Sequence, residues 1–176
     1  MTSPSSESDR VAVRRDAITF RAATDDDYDF ERLLYHDVRR EEMELFPFGD
    51  EQKLQFLDWQ FAAQHKHYRE HYPTCDWNII EKDGAPIGRL IIDRWKDQIR
   101  IVDIALRSET RNSGIGSMLL REILEQGREA GLPVTIHVEA HNPAMHLYDR
   151  LGFQHVDTSG VYHLMRWSPD QVKTAS

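Results

Sequence analysis

The chain of 176 residues has a single cysteine, Cys75, and so no internal disulfide bond. One unpaired thiol is typical of a reducing compartment, and we expect a cytoplasmic protein. No apolar run approaches the roughly 20 residues that a membrane-spanning helix needs. The polar N-terminus, "MTSPSSESDR", lacks the apolar core of a signal peptide, so we expect neither membrane insertion nor export. Basic residues are also scarce, since 22 Lys and Arg stand against 30 Asp and Glu for a formal charge of -8. This balance predicts no general nucleic-acid binding.

The remaining composition is typical of one globular domain. Hydrophobic residues make up 40% of the chain and charged residues 30%. Residues 1–16 are rich in Ser, Asp and Arg, which predicts a disordered N-terminal tail. We assign residues 17–168 to a single domain and residues 169–176 to a C-terminal tail.

Hydrophobic periodicity predicts an α/β (α+β) fold with the element order β-α-α-β-β-β-α-β-α-β-β. Thr24 is predicted to cap the first helix, and "DGA" is typical of a hairpin turn. The segment "GVYHLMRW" is predicted as a closing edge strand. The other predicted elements are strands over 17–23, 99–106 and 134–140 and helices over 25–40, 51–72, 114–130 and 143–150.

The segment "RNSGIGS", residues 111–117, lies between a predicted strand and a predicted helix. The first turn of a helix leaves backbone N–H groups unpaired and carries about half a positive charge. Glycines at 114 and 116 let a ligand approach that backbone, and Arg111 adds a formal charge. The segment therefore predicts a phosphate or pyrophosphate site, or else a tight turn whose glycines serve packing. It lacks the Lys-Ser/Thr pair of a P-loop and the three spaced glycines of a dinucleotide-binding turn.

Two motifs together resemble the GCN5-related N-acetyltransferase (GNAT) superfamily. "RNSGIG" matches the R/Q-x-x-G-x-G/A pyrophosphate loop, and "NPAMHLYDRLGF", residues 142–153, resembles the second hallmark of that superfamily. They lie in the expected order, separated by a helix and a strand, and the resemblance covers residues 17–168. It implies a mixed, mostly antiparallel sheet of six to seven strands with helices on both faces. Asn112 and Ser113 depart from the family, which commonly carries Gly and a basic residue there.

The resemblance implies acetyl-CoA as co-substrate, no metal, and transfer of the acetyl group to a primary amine of a small molecule or peptide by direct attack in a ternary complex. Backbone N–H groups of 112–117 would surround the pyrophosphate. Strand residues Ile104 and Leu106 would pair with the pantetheine arm, and an N–H near Ile104 or Ala105 would bind the thioester carbonyl. The implied cofactor-binding residues are Ile104, Ala105, Leu106, Arg111, Asn112, Ser113, Gly114, Ile115, Gly116, Ser117, Asn142 and Tyr148.

The resemblance also suggests catalytic residues. Tyr148 would protonate the leaving thiolate, because a phenol with a pKa near 10 can donate a proton at that moment; alternatively it only packs in the core. His137, Glu139 and Asp103 are candidate general bases. A structural role for each of them, or a water that relays the proton, stays open.

The acceptor is expected over the splayed strands, under the first two helices. In "REEMELFPFGDE", residues 40–51, carboxylates could hold a cationic amine and aromatic rings could form the walls. We name Glu42 and Phe46 as substrate contacts; Glu41, Glu44 and Phe48 could share these roles, unless the segment is only a solvated helix end. His67 and His71 have a zinc-ligand spacing, but we expect surface residues because no third ligand is evident beyond Cys75.

Two alternatives compete with the enzyme. One is a non-catalytic acyl-CoA-binding or sensor protein on the same fold. The other is a dimeric interaction protein whose glycine loop is only structural. A homodimer is possible for the enzyme as well.

Overall fold

Seven strands form one sheet in the computed structural model, which describes residues 17–170. The strands are β1 (Ile18–Ala22), β2 (Asp76–Lys82), β3 (Ala85–Arg94), β4 (Ile99–Leu106), β5 (Val134–Glu139), β6 (Gln154–Ser159) and β7 (Tyr162–Trp167). The helices are α1 (Tyr28–Val38), α2 (Arg40–Glu44), α3 (Asp50–His71), α4 (Ile115–Ala130) and α5 (Met145–Arg150). The predicted tails, 1–16 and 169–176, lie wholly or largely outside the described residues.

The sheet has the strand order β1-β2-β3-β4-β5-β7-β6, and only β4 and β5 pair in parallel. This confirms the predicted mixed, mostly antiparallel sheet. The prediction of an edge position for "GVYHLMRW" is wrong, because β7 lies between β5 and β6. Met165 and Trp167 of β7 are buried, whereas all six residues of β6 are exposed. The apolar strand therefore occupies the interior and the polar one forms the edge.

The helix predicted over 25–40 is divided in the structure. A 3-10 turn over Asp25–Asp27 leads into α1, and a break at Arg39 separates α1 from α2. The Thr24 N–H donates to the Asp27 carboxylate at 2.8 Å, a reciprocal cap for the entry into α1. Arg21 holds the same carboxylate through two hydrogen bonds of 2.7 and 2.8 Å.

Helix α4 is fixed to the sheet by its apolar side. Leu119, Leu120, Ile123 and Leu124 are almost fully buried against β-strand residues. Each such side chain stabilises the fold by about 1.5–3 kcal/mol relative to its exposed state. This packing holds the start of α4 rigidly beyond the end of β4.

The two central parallel strands separate along their length. Strands β4 and β5 pair only over Ile99–Ile101 and Val134–Ile136. Beyond that point β4 continues to Leu106 and β5 to Glu139 without pairing each other. We call the opening between residues 103–106 of β4 and 137–139 of β5 the strand gap.

Candidate active site

The backbone of β4 directs hydrogen-bonding groups to the strand gap, and one of them, the Leu106 carbonyl, accepts from Arg111 Nε. The Arg107 N–H donates to the Ile87 carbonyl of β3 at 2.8 Å, and a side chain at Gly88 would lie 2.3 Å from the Ala105 carbonyl oxygen. Successive strand residues direct these groups to opposite neighbours. The backbone groups of Ile104 and Leu106 therefore face the gap, and those of Ala105 face β3. An extended ligand with amide groups could add to β4 here as a strand.

The segment 111–117 forms the turn into α4. Asn112 has φ 59 and Gly114 has φ 87, so both lie in the left-handed region that Asn and Gly tolerate best. The first helical hydrogen bond runs from the Met118 N–H to the Gly114 carbonyl at 3.0 Å, and no side chain caps the helix. The N–H groups of Ile115, Gly116 and Ser117 therefore have no partner within the helix.

Gly114 is required by its left-handed backbone, whereas Gly116 is not. A Cβ at position 116 would meet only Leu106 Cδ1, at an ordinary 3.7 Å, and the backbone φ lies outside the left-handed region. The fold itself therefore does not require glycine there. Glycine leaves the backbone N–H groups open to a ligand, as a pyrophosphate site needs.

Helix α1 buttresses the loop through Asp37. Its carboxylate accepts the Ser108 N–H at 2.6 Å and the Ser108 hydroxyl at 2.8 Å. Burial opposes ionisation, but these bonds, with Arg40 and Arg111, lower the pKa of Asp37 below its usual value. Arg111 lies 3.6 Å from Asp37 and donates from Nε to the Leu106 carbonyl at 3.2 Å. Arg111 is thus folded back along the loop, with its side chain half-exposed.

Tyr148 lies in the apolar core with 4% of its surface exposed. Its ring meets Phe153 edge-on at 5.5 Å. Burial raises the pKa of Tyr148 well above its ordinary value, and the nearby Asp103 carboxylate adds to the effect. The phenol is therefore protonated at neutral pH and close to Asp103.

Asp103 is held by a buried arginine. Arg89 on β3 donates from Nε and from a terminal nitrogen to Asp103 Oδ2, the former at 2.8 Å. The pKa of Tyr68, on α3, is raised by burial and by the same Asp103 carboxylate. Asp103 therefore lies within electrostatic reach of two phenols, Tyr148 and Tyr68.

His137 is exposed on β5, next to Arg100 of β4. The Arg100 guanidinium lies 3.2 Å from His137 Nδ1 and donates from Nε to Thr135 at 2.8 Å. Burial and Arg100 lower the pKa of His137. Arg100 can only donate, so Nδ1 acts as the acceptor and the proton of the neutral ring lies on Nε2.

Arg39 joins the α1–α2 break to the far end of β5. It pairs with Glu139 and with Glu42, each at 3.0 Å, and stacks 4.7 Å over the Tyr35 ring. Burial and Glu139 raise the pKa of Tyr162, at the start of β7. Because α1 packs on β3 and β4, the Arg39–Glu139 pair spans the strand gap on the α1 side.

The remaining predicted residues lie further out. Phe46 stacks on Phe48 at 6.1 Å and faces Phe56 at 6.4 Å, a surface row rather than a wall shown at the gap. The Asn142 side chain accepts the Ala144 N–H at 2.8 Å and so starts the turn into α5. A separate open cavity of about 710 Å³ lies between α1, α2, α3 and residues 107–109, away from Tyr148.

The two helical histidines stack on each other. The rings of His67 and His71 are 4.0 Å apart, and His71 Nδ1 bonds the His67 carbonyl at 2.9 Å. Within residues 17–170, no three His, Cys, Asp or Glu side chains converge in a way that could hold a metal ion. In the same range, no helix is both long and apolar enough to cross a membrane.

The structure thus places Asp103 and the gap-facing backbone of β4 at the strand gap, near the start of α4, with Tyr148 within electrostatic reach of Asp103. Sequence reasoning missed four contributors to this site: Arg39, Tyr68, Arg89 and Tyr162. Only Arg89 had a visible signal, a lone charge inside the apolar strand "PIGRLII".

The arrangement of a splayed parallel pair beside an uncapped helix start agrees with the family match. Residues 34–153 match the model of the Acetyltransferase (GNAT) family, and the chain belongs to this family. That match confirms the predicted fold and the predicted enzyme class, acetyltransferases that use acetyl-CoA.

Individual relatives are distant. The chain is 27% identical, over 114 residues, to [Ribosomal protein bS18]-alanine N-acetyltransferase of Haemophilus influenzae. The aligned region covers 64% of this chain and 76% of that relative. The PaiA N-acetyltransferase of Thermoplasma acidophilum, solved with coenzyme A, superposes with a TM-score of 0.64 at 15% identity, covering 86% of this chain and 98% of that one. Arabidopsis thaliana Naa50, solved with the bisubstrate analogue CoA-Ac-MVNAL, gives 0.56 at 16% identity, covering 86% and 99%.

Proposed function

We propose that this protein transfers the acetyl group of acetyl-CoA to a primary amine of a small molecule or peptide, by direct attack in a ternary complex. The observation that carries the proposal is the strand gap, which opens beside the uncapped start of α4. An anion site thus lies next to a strand edge that is not paired with another strand.

The residues present fit acetyl-CoA, which supplies an activated acyl thioester. The N–H groups at 115–117 suit the pyrophosphate, and the open position at Gly116 lets it approach. The gap-facing groups of Ile104 and Leu106 suit the two amides of pantetheine. Of the two residues proposed to bind the thioester carbonyl, Ile104 is the one whose backbone faces the gap.

Tyr148 is proposed as the general acid. As the amine nitrogen bonds to the acyl carbon, the carbon–sulfur bond breaks and the sulfur takes a proton from Tyr148 Oη. The raised pKa of Tyr148 means that the phenol is protonated at neutral pH, the state that a general acid needs. The phenolate is then neutralised by the proton that the amine loses, passed through water.

The first acceptor of that amine proton is a second proposal. His137 could act only after releasing Arg100 from Nδ1, because its other nitrogen holds the ring proton. Asp103 has one carboxylate oxygen that accepts from no donor in the described residues, and it needs no such rearrangement. We therefore favour Asp103, directly or through a water, over His137 and over Glu139, which is paired with Arg39.

Carboxylates around the gap favour a cationic acceptor. Glu42 and Glu139 both form ion pairs with one arginine, Arg39, beside the strand gap. The names of two relatives specify a protein alanine and a peptide analogue. A peptide α-amino group is therefore the first acceptor to test. A cytoplasmic location and a homodimer stay predictions.

The test is thiol release from acetyl-CoA across a panel of primary amines that includes alanine-initiated peptides. We expect turnover on at least one amine and a marked loss with Tyr148→Phe, with Tyr72→Phe as the control on a partly buried tyrosine outside the strand gap. Acetyl-CoA binding without turnover on any amine would contradict the proposal and favour a sensor. Failure of acetyl-CoA to raise the melting temperature would favour a purely structural loop.

A further inference from the structure

A buried arginine interrupts an apolar strand of the sheet. Arg89 has 3% of its surface exposed, between Gly88 and Leu90 in β3. A charge at such depth is costly unless it is paired and hydrogen-bonded. Its partners therefore explain why the position carries arginine.

Two carboxylates and one amide surround the Arg89 guanidinium. Nε donates to Asp103 Oδ2 at 2.8 Å, Nη1 donates to Glu31 Oε1 at 3.3 Å, and Nη2 donates to Gln64 Oε1 at 2.9 Å. Glu31, with 1% of its surface exposed, also accepts the Trp77 indole N–H at 2.5 Å. Burial raises the pKa of Glu31, although Arg89 opposes this effect. Glu31 of α1 and Gln64 of α3 thus hold the arginine from the face of the sheet that these two helices cover.

Only one of the two carboxylate oxygens of Asp103 accepts hydrogen bonds from Arg89. Both Arg89 donors bind Oδ2, and no donor within residues 17–170 binds Oδ1. The Asp103 side chain keeps 21% of its surface exposed. Asp103 lies just past Ile101, the last β4 residue paired with β5, where the strand gap begins. One oxygen is therefore fixed and the other is available at the gap.

We propose that Arg89 is a positioning residue that fixes Asp103 so that Oδ1 binds the ammonium or amine of the acceptor, with Glu31 holding Arg89 in place. This inference rests on the proposed acetyl transfer to an amine. Oδ1 of the Asp103 carboxylate has no donor among the described residues, so the site favours an acceptor that donates hydrogen bonds, such as a cationic amine. An amine beside a free carboxylate, such as an unblocked single amino acid, is disfavoured.

The test compares steady-state kinetics of three variants on an alanine-initiated peptide with an amidated C-terminus. Asp103→Asn is expected to raise KM for the peptide by about tenfold to a hundredfold, the loss typical of one charge-assisted hydrogen bond. Arg89→Lys keeps the charge but cannot donate two bonds to Oδ2, so its KM should lie between that of Asp103→Asn and that of the wild type. Arg94→Met is the matched control, because Arg94 ends the same strand in an exposed pair with Asp76.

Removing Arg89 alone would strand the buried Glu31 charge and could unfold the protein. The double variant Glu31→Gln with Arg89→Met avoids this, and circular dichroism reports its folding. If Asp103→Asn leaves the peptide KM at the level of Arg94→Met while acetyl-CoA binds normally, the positioning role is refuted. Equal KM in the folded double variant and the wild type would refute it too.

The outcomes also separate this inference from the proposed function. Wild-type turnover with unchanged KM in the variants overturns only the role of Arg89 and Asp103. An absence of wild-type turnover on every amine overturns both. A raised peptide KM with unchanged acetyl-CoA affinity supports both, because a merely structural role would lower stability without this selective change.

Discussion

Gly116 offers a substitution that separates ligand binding from folding. A Cβ there meets only Leu106 Cδ1, at 3.7 Å, and the backbone is not left-handed. Gly116→Ala should therefore stabilise the chain by about 0.4–1 kcal/mol, through the less flexible unfolded state. A domain of this size would then melt about 1–4 °C higher. The same methyl group projects where we place the pyrophosphate.

The expected loss of binding follows from the contacts at the helix start. Displacing the ligand from one N–H removes a charge-assisted hydrogen bond of about 1.5–3 kcal/mol. That loss weakens coenzyme A binding by about tenfold to a hundredfold, and the larger Gly116→Val should abolish binding.

Calorimetric titration with coenzyme A and a thermal melt of the same preparation measure both effects. Gly114→Ala is the contrasting variant, because φ 87 makes any side chain there strained, at about 1–3 kcal/mol. We expect it to lower the melting temperature as well as the affinity. A Gly116→Ala protein that binds coenzyme A as tightly as the wild type would refute the assignment of the pyrophosphate site.

Three further predictions concern single side chains. Tyr148→Phe should lower kcat by about 10²–10⁴-fold with little change in the acetyl-CoA dissociation constant, measured by steady-state kinetics and titration; an unchanged kcat would exclude the acid role. Arg111→Ala should weaken coenzyme A binding less than Gly116→Val, because its side chain is folded back onto Leu106, and a larger loss in titration would contradict that view. Hydrogen bonds from Arg21 lower the pKa of Asp27 below its ordinary 3.8; burial opposes this shift and Thr24 adds to it. The ionised Asp27 therefore stabilises the fold above about pH 4, and this stabilisation is lost as the pH falls through the folded-state pKa. Asp27→Asn should therefore cost about 1–3 kcal/mol in urea unfolding at pH 7, and this cost should shrink as the pH falls below 4; a cost that does not change on acidification would contradict the ion pair.

Local patterns in the sequence account for what could be predicted. The turn into α4 was predictable because Asn112 and Gly114 suit the left-handed backbone that the turn requires. Alternation in "VTIHVEA" likewise indicates β5, with Val134, Ile136 and Val138 buried on one face.

Long-range pairing was less accessible. The position of β7 between β5 and β6 depends on strand pairing between distant segments, which a local sequence pattern does not indicate. Arg89 meets Glu31 across 58 positions, and Arg39 meets Glu139 across 100. Each arginine could be seen as a charge in the sequence, but its partner is set by the packing of α1 and α2 over the sheet.

A crystal structure of the protein with coenzyme A tests the central claim most directly. We expect pyrophosphate oxygens within about 2.7–3.2 Å of the N–H groups at 115–117, pantetheine beside Ile104 and Leu106 in the strand gap, and the sulfur next to Tyr148 Oη. Coenzyme A bound elsewhere, for example in the outer cavity beside Leu33 and Leu54, with Tyr148 far from the sulfur, would contradict the account.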